Sequence, residues 1–137
     1  MPTTRYRVKQ AAELLGVSDD TVRRWIESGR LGAHSDGTRQ VVDGAELAVL
    51  AQEIAADGEH PHPGPVVSAS ARNRFVGLVT RVVRDTVMAQ VEIQAGPHRV
   101  VSLMSREAAD ELRLEPGVLA IAAVKSTNVV VELPEKP

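Results

Sequence analysis

The chain has 137 residues, of which 43% are hydrophobic, 25% charged and only 2% aromatic. That length allows one medium domain or two very small ones, and so few aromatic residues leave a core built from Val, Leu, Ile and Ala and disfavour base stacking on an aromatic platform. The absence of cysteine excludes disulfides, thiolate metal sites and Cys nucleophiles, and the net charge of -2 announces no nucleic-acid partner.

Val8, Ala11, Ala12, Leu14 and Leu15 form an apolar stripe at helical spacing that ends at Gly16, a residue suited to a left-handed stop. After the turn Gly16-Val17-Ser18, Ser18 is placed to cap a second helix. Asp19 and Asp20 suit the positive end of that helix, and Val22, Trp25 and Ile26 make its buried stripe before Gly29. From Arg30 to Val42 the turn pair Asp36-Gly37 separates two short stretches of a hairpin. Asp43 and Glu46 read as a capping box for a third helix, with Leu47, Leu50, Ala51 and Ile54 on one face. Helix, turn, helix, wing, helix is a winged helix-turn-helix order.

Between Asp57 and Ala69 the chain reads DGEHPHPGPVVSA, where Pro61, Pro63 and Pro65 predict a stiff linker and a boundary near residue 60. Beyond it the pattern changes to period two. Phe75, Gly77 and Val79, then Val87, Ala89, Val91 and Ile93, predict two strands around a turn at Arg84-Asp85-Thr86. Arg99 to Met104 predicts a third strand, Ser105 to Leu112 a short helix capped by Ser105, and Val118 to Val124 and Val129 to Leu133 two more strands. The expected fold is α + β in two domains: a winged helix-turn-helix over 1–57, a linker over 58–69, and a small OB-like five-stranded β-barrel with one short helix over 70–134. Units this small are marginal alone, so a homo-oligomer is expected.

On the second helix an inward Val22, Trp25 and Ile26 leave Thr21, Arg24 and Ser28 on the outer face, with Arg23 and Glu27 alongside. That face fits a major groove, with Arg30 and Arg39 holding the flanking backbone, and it serves equally as a solvated charged face of a module that meets no DNA. From Arg5 to Arg39 seven basic residues (Arg5, Arg7, Lys9, Arg23, Arg24, Arg30, Arg39) face five acidic ones (Glu13, Asp19, Asp20, Glu27, Asp36), a small surplus. The stretch YRVKQAAELLGVSDDTVRRWIESGRL resembles the DNA-binding domain of the MerR and excisionase class. The resemblance covers residues 6 to 55 and implies double-stranded DNA as partner, with Thr21, Arg23, Arg24, Arg30 and Arg39 as the DNA-binding residues. Where that class carries a basic GGHRR-like wing, this chain has Asp36-Gly37-Thr38-Arg39-Gln40, so phosphate affinity per protomer is expected to be weak.

Three segments of the second half place hydroxyls and cations at element ends: Ser70-Ala71-Arg72-Asn73, Ser105, and Lys125-Ser126-Thr127. A dianion without a proton needs donors only, and these groups are donors; they serve equally as ordinary caps and exposed cations. SARNRFVGLVTRVVRDTVMAQVEI, VVSLMSREAADELRLEPG and AVKSTNVVVE are together similar to the Mop, or TOBE, domain of molbindins and molybdate-responsive regulators, over residues 70 to 133. The resemblance implies molybdate or tungstate bound at subunit interfaces by Ser70, Ala71 (through its backbone), Arg72, Ser105, Lys125 and Ser126. A second hydroxyl, three residues into the helix in many relatives, is Ala108 here, which removes one donor.

His60 and His62 lack a third ligand, His34 and His98 are lone, and no metal cation site is expected. GxxxxGK[ST], GxGxxG and GxSxG spacings are absent, and no nucleophile, base and orienter assemble, so an enzyme is not expected. The opening MPTTRYRVKQ has no apolar leader, and no window nears the roughly 18 apolar residues of a membrane span, so the expectation is cytoplasmic. The function the two resemblances together imply is a molybdate- or tungstate-binding, DNA-binding transcriptional regulator of molybdenum uptake or use. The competing reading is an oxyanion store in which the helix-turn-helix serves assembly, and an enzyme of molybdenum-cofactor assembly comes third.

Overall fold

The computed structural model describes residues 4–58 and 70–135. They fall into two compact units that divide between His60 and Pro61. The expected linker over 58–69, with His60 and His62, lies outside the described residues except for Gly58.

The first unit runs β1 (Arg5–Arg7), α1 (Val8–Leu15), α2 (Asp19–Glu27), β2 (His34–Asp36), β3 (Arg39–Asp43) and α3 (Gly44–Asp57). α1 ends because Gly16 adopts φ 67, and the N–H of Val17 then returns to the Ala12 carbonyl at 3.0 Å. Val8, Ala11 and Ala12 are buried, whereas Leu14, expected in the stripe, is 62% exposed. It sits about 110° around the helix from the centre of that stripe, outside the packed face. Ser18 caps α2 as expected, its Oγ accepting from the Thr21 N–H at 3.1 Å. Val22 is fully buried and Trp25 and Ile26 partly so, and the three pack with Val8, Ala11, Leu31, Val42, Leu47 and Leu50 into one core.

β1, β3 and β2 form an antiparallel sheet in that order, and Gly37 at φ 68 turns the β2–β3 hairpin. β1 was not expected: three residues are too few to show a period. The capping box expected at Asp43 and Glu46 is absent. Asp43 is the N-cap residue of α3, but its side chain makes no capping hydrogen bond. Its Oδ1 instead accepts from Arg5 Nε at 3.3 Å, and its Oδ2 faces His34 Nε2 at 3.0 Å.

The second unit contains β4 (Asn73–Arg84), β5 (Met88–Ala95), β6 (His98–Ser105), α4 (Arg106–Glu111) and β7 (Leu119–Val124). They build a four-stranded antiparallel sheet, β6-β5-β4-β7. The first half of β4 pairs with β7 and the second with β5, with a bulge between Val79 and Arg81 where it changes neighbours. The sheet curls, so that apolar residues of β5, β6 and β7, among them Val91, Ile93, Met104, Ala120 and Ala122, line one groove. Val79, Ala89, Val91, Ile93, Ala109 and Leu114 form its core.

The fifth strand expected at Val129 to Leu133 is not a strand. A 3-10 helix, Ser126–Asn128, follows β7, and the chain then runs exposed, with Val131 83% and Leu133 90% accessible. Its β-branched sequence favours a strand, but a strand needs a partner edge, and among the described residues of one chain none pairs with it. No helix among the described residues is long and apolar enough to cross a membrane.

Candidate functional site

The oxyanion candidates are placed by strand register. Ser70, Ala71 and Arg72 lead directly into β4, whose first residue, Asn73, lies opposite Val124, the last of β7. Asn73 Nδ2 also donates to the Val124 carbonyl at 3.2 Å. Lys125 and Ser126 follow at once, so the antiparallel pairing brings Ser70, Ala71, Arg72, Lys125 and Ser126 to the same end of the sheet. Arg72, Lys125 and Ser126 are exposed, free to present their donors outward.

Ser105 is not with them. It closes β6 opposite Met88, beside the pairing of Arg84 with Ala89, and so stands at the other end of β4. The 12 residues of β4, at about 3.3 Å each, separate the two groups along the strand direction. One chain therefore presents the candidate donors as two groups, one at each end of its sheet.

At the Ser105 end, its Oγ accepts from the Ala108 N–H at 3.1 Å, which uses a lone pair and leaves the hydroxyl proton available. Thr86 and Arg106 line the same shallow depression, together with Glu107, Asp110 and Glu111. Arg106 directly follows Ser105 in the chain, whereas only the β4–β5 turn brings Thr86 to the start of α4, a proximity that sequence spacing does not display. The Arg106 guanidinium is partly engaged, donating to the Asp85 carbonyl at 3.1 Å and lying 3.7 Å from Asp110. Asp85 holds that turn: its Oδ1 accepts from the N–H groups of Met88 (2.6 Å) and Val87 (2.8 Å). Those two bonds, Met88 first, with Arg106 nearby, hold its carboxyl below the usual range.

In the first unit, Arg23 lies 3.5 Å from Asp20, Arg24 Nη2 donates to Thr21 Oγ1 at 3.2 Å, and Arg30 stacks over the Trp25 ring at 5.7 Å. Thr21 is held in turn by Ser18, with 2.9 Å between the hydroxyls. Arg39 is brought to Arg23 across a shallow depression that Arg7 and Lys9 also line, with Asp19 its one acidic wall. Arg7 and Lys9 were counted among the basic residues of this stretch without a site role. β1 and the start of α1 carry them to the hairpin, a proximity that no sequence spacing displays.

A helix-turn-helix domain model matches residues 5–54, and a TOBE domain model matches residues 69–131. Molybdenum-pterin-binding protein 2 of Clostridium pasteurianum is 35% identical over 66 residues, which are 47% of this chain and 97% of that protein. The chain belongs to the TOBE family. The chain is also 38% identical over 65 residues to the molybdenum transport protein ModE of Herbaspirillum seropedicae, a match that spans 47% of this chain and only 24% of ModE. Among solved structures, a molybdate-binding protein from Sporomusa ovata is 28% identical, with a TM-score of 0.47 over 49% of this chain and 100% of that one.

Proposed function

We propose that the chain is a cytoplasmic, molybdate- or tungstate-binding transcriptional regulator of molybdenum uptake or use, which binds double-stranded DNA through its helix-turn-helix domain. The observation that carries the anion half is the split site: Arg72 and Lys125 at one end of the sheet, Ser105 at the other. A tetrahedral dianion needs donors from several sides, and two copies of the chain, joined end to end, supply them where one does not. Exposed Leu103, Leu119, Val130, Val131 and Leu133 favour such an oligomer, in which the Val129 to Leu133 segment adds the fifth strand of a closed barrel. The names of the TOBE relatives, which bind molybdenum-pterin or transport molybdenum, favour molybdate as the anion. The reading is of binding, without catalysis.

The depression ringed by Arg7, Lys9, Arg23 and Arg39 favours a polyanion at the helix-turn-helix, with the β2–β3 hairpin as its wing. Arg24, steadied by Thr21, is the residue assigned to base edges.

Calorimetric titration of the full chain with molybdate, tungstate and sulfate tests the anion half. Molybdate or tungstate is expected to bind and sulfate to bind more weakly. Arg72→Ala and Lys125→Ala should each cost about 1.5–3 kcal/mol, tenfold or more in affinity. A folded variant with unchanged affinity removes that residue from the site. If no fragment of genomic DNA is retained above nonspecific background, with or without molybdate at low salt, the chain is an oxyanion store and its helix-turn-helix serves assembly.

A further inference from the structure

His34, Asp43 and Glu46 converge although they come from three elements: β2, the end of β3, and the first turn of α3. One ligand atom from each lies within 4.8 Å of the others, and His34 Nε2 and Asp43 Oδ2 are 3.0 Å apart. Ligands held about 2.0–2.2 Å from a tetrahedral zinc stand roughly 3.3 Å from one another, so this pair already has the right spacing and only Glu46 must close in.

Two further features make this more than a chance meeting of surface charges. Asp43 forgoes the capping bond that its N-cap position offers, turning Oδ2 to His34 while Arg5 holds Oδ1 at 3.3 Å. Arg5 thus orients the carboxylate and leaves one oxygen to act as a monodentate ligand. Gly32 leaves room for the third ligand: a Cβ there would stand 3.0 Å from Glu46 Oε1 and 3.1 Å from Oε2. The formal charge of Asp43, Glu46 and Arg5 together is -1, which suits a dication.

We propose that His34, Asp43 and Glu46 form a binding site for a divalent transition-metal cation of the zinc class, in the helix-turn-helix unit and separate from the oxyanion residues. The imidazole nitrogen selects against magnesium and calcium, which take oxygen ligands, and water completes the coordination. A bound cation ties β2 to the start of α3 and so fixes the base of the hairpin that carries Arg39.

The test is a zinc titration of the full chain against a chromophoric chelator, in a His60→Ala/His62→Ala background that removes the neighbouring pair of histidines in the sequence. One zinc per chain should bind and raise the melting temperature. His34→Ala and Glu46→Gln should each weaken binding at least tenfold. Gly32→Ala should weaken it several-fold, because the added Cβ displaces the flexible end of Glu46 at little cost to folding. Glu46→Gln is nearly isosteric and exposed, so it reports on the site even if His34→Ala unfolds. No zinc binding in the background chain, or binding that Glu46→Gln and Gly32→Ala leave unchanged, overturns the proposal.

Discussion

The Ser105 hydroxyl accepts the Ala108 N–H at 3.1 Å, so the residue assigned to the anion is also the cap of α4. The two roles use different parts of one group, a lone pair for the helix and a proton for the anion. They separate by substitution. Ser105→Ala should lose both, lowering stability by about 1 kcal/mol and weakening molybdate binding. Ser105→Asp should keep the cap and the melting temperature but oppose the anion with a second negative charge. Scanning and titration calorimetry on the two variants check this, and molybdate bound normally by Ser105→Asp would place the anion elsewhere.

Arg7, Lys9 and Arg39 surround one depression, so each should act on DNA as a phosphate contact. Alanine at any of them is expected to weaken binding to all sequences and reduce the salt slope by about 1. Arg24→Ala should instead remove preference for a specific site, a loss of about 1–3 kcal/mol in discrimination. Binding isotherms at several salt concentrations, on specific and random duplexes, distinguish the two classes.

Asp85 has a folded pKa below its ordinary value of 3.8. A carboxyl lowered in the folded state stabilises the fold at pH above that ordinary value, and the contribution is lost as pH falls through the folded value. Asp85→Asn retains an oxygen for the Val87 and Met88 N–H groups but does not titrate. Stability of the variant, measured by urea unfolding from pH 6 down to pH 2, should fall less steeply than that of the parent chain; parallel curves would show that other groups govern acid unfolding.

Gly77 on β4 passes so close to β5 that a Cβ would stand 2.3 Å from the Gln94 carbonyl oxygen. Both are backbone-fixed, so Gly77→Ala forces the strands apart and should cost at least about 1–3 kcal/mol. A lower urea midpoint is the expected readout, and an unchanged one would mean the sheet yields there freely.

The helix-turn-helix order, the stop at Gly16, the Ser18 and Ser105 caps and the turn at Asp85 were all legible in the sequence. Each is a local matter, decided by dihedral preference or by a side chain reaching a backbone group three residues away. The segments proposed for the oxyanion stand out in the sequence as residue types and by resemblance, without their positions in space. Tertiary pairing alone decided that Arg72 and Lys125 lie at one end of the sheet while Ser105 stands at the other. It also turned Asp43 from a helix cap into the partner of His34 and Arg5, gave β1 its place beside β3, and left Val129 to Leu133 without a partner edge among the described residues. These outcomes depend on contacts between residues far apart in the chain, where a nearby carboxylate competes with a backbone N–H and a strand forms only if another strand is there to receive its hydrogen bonds.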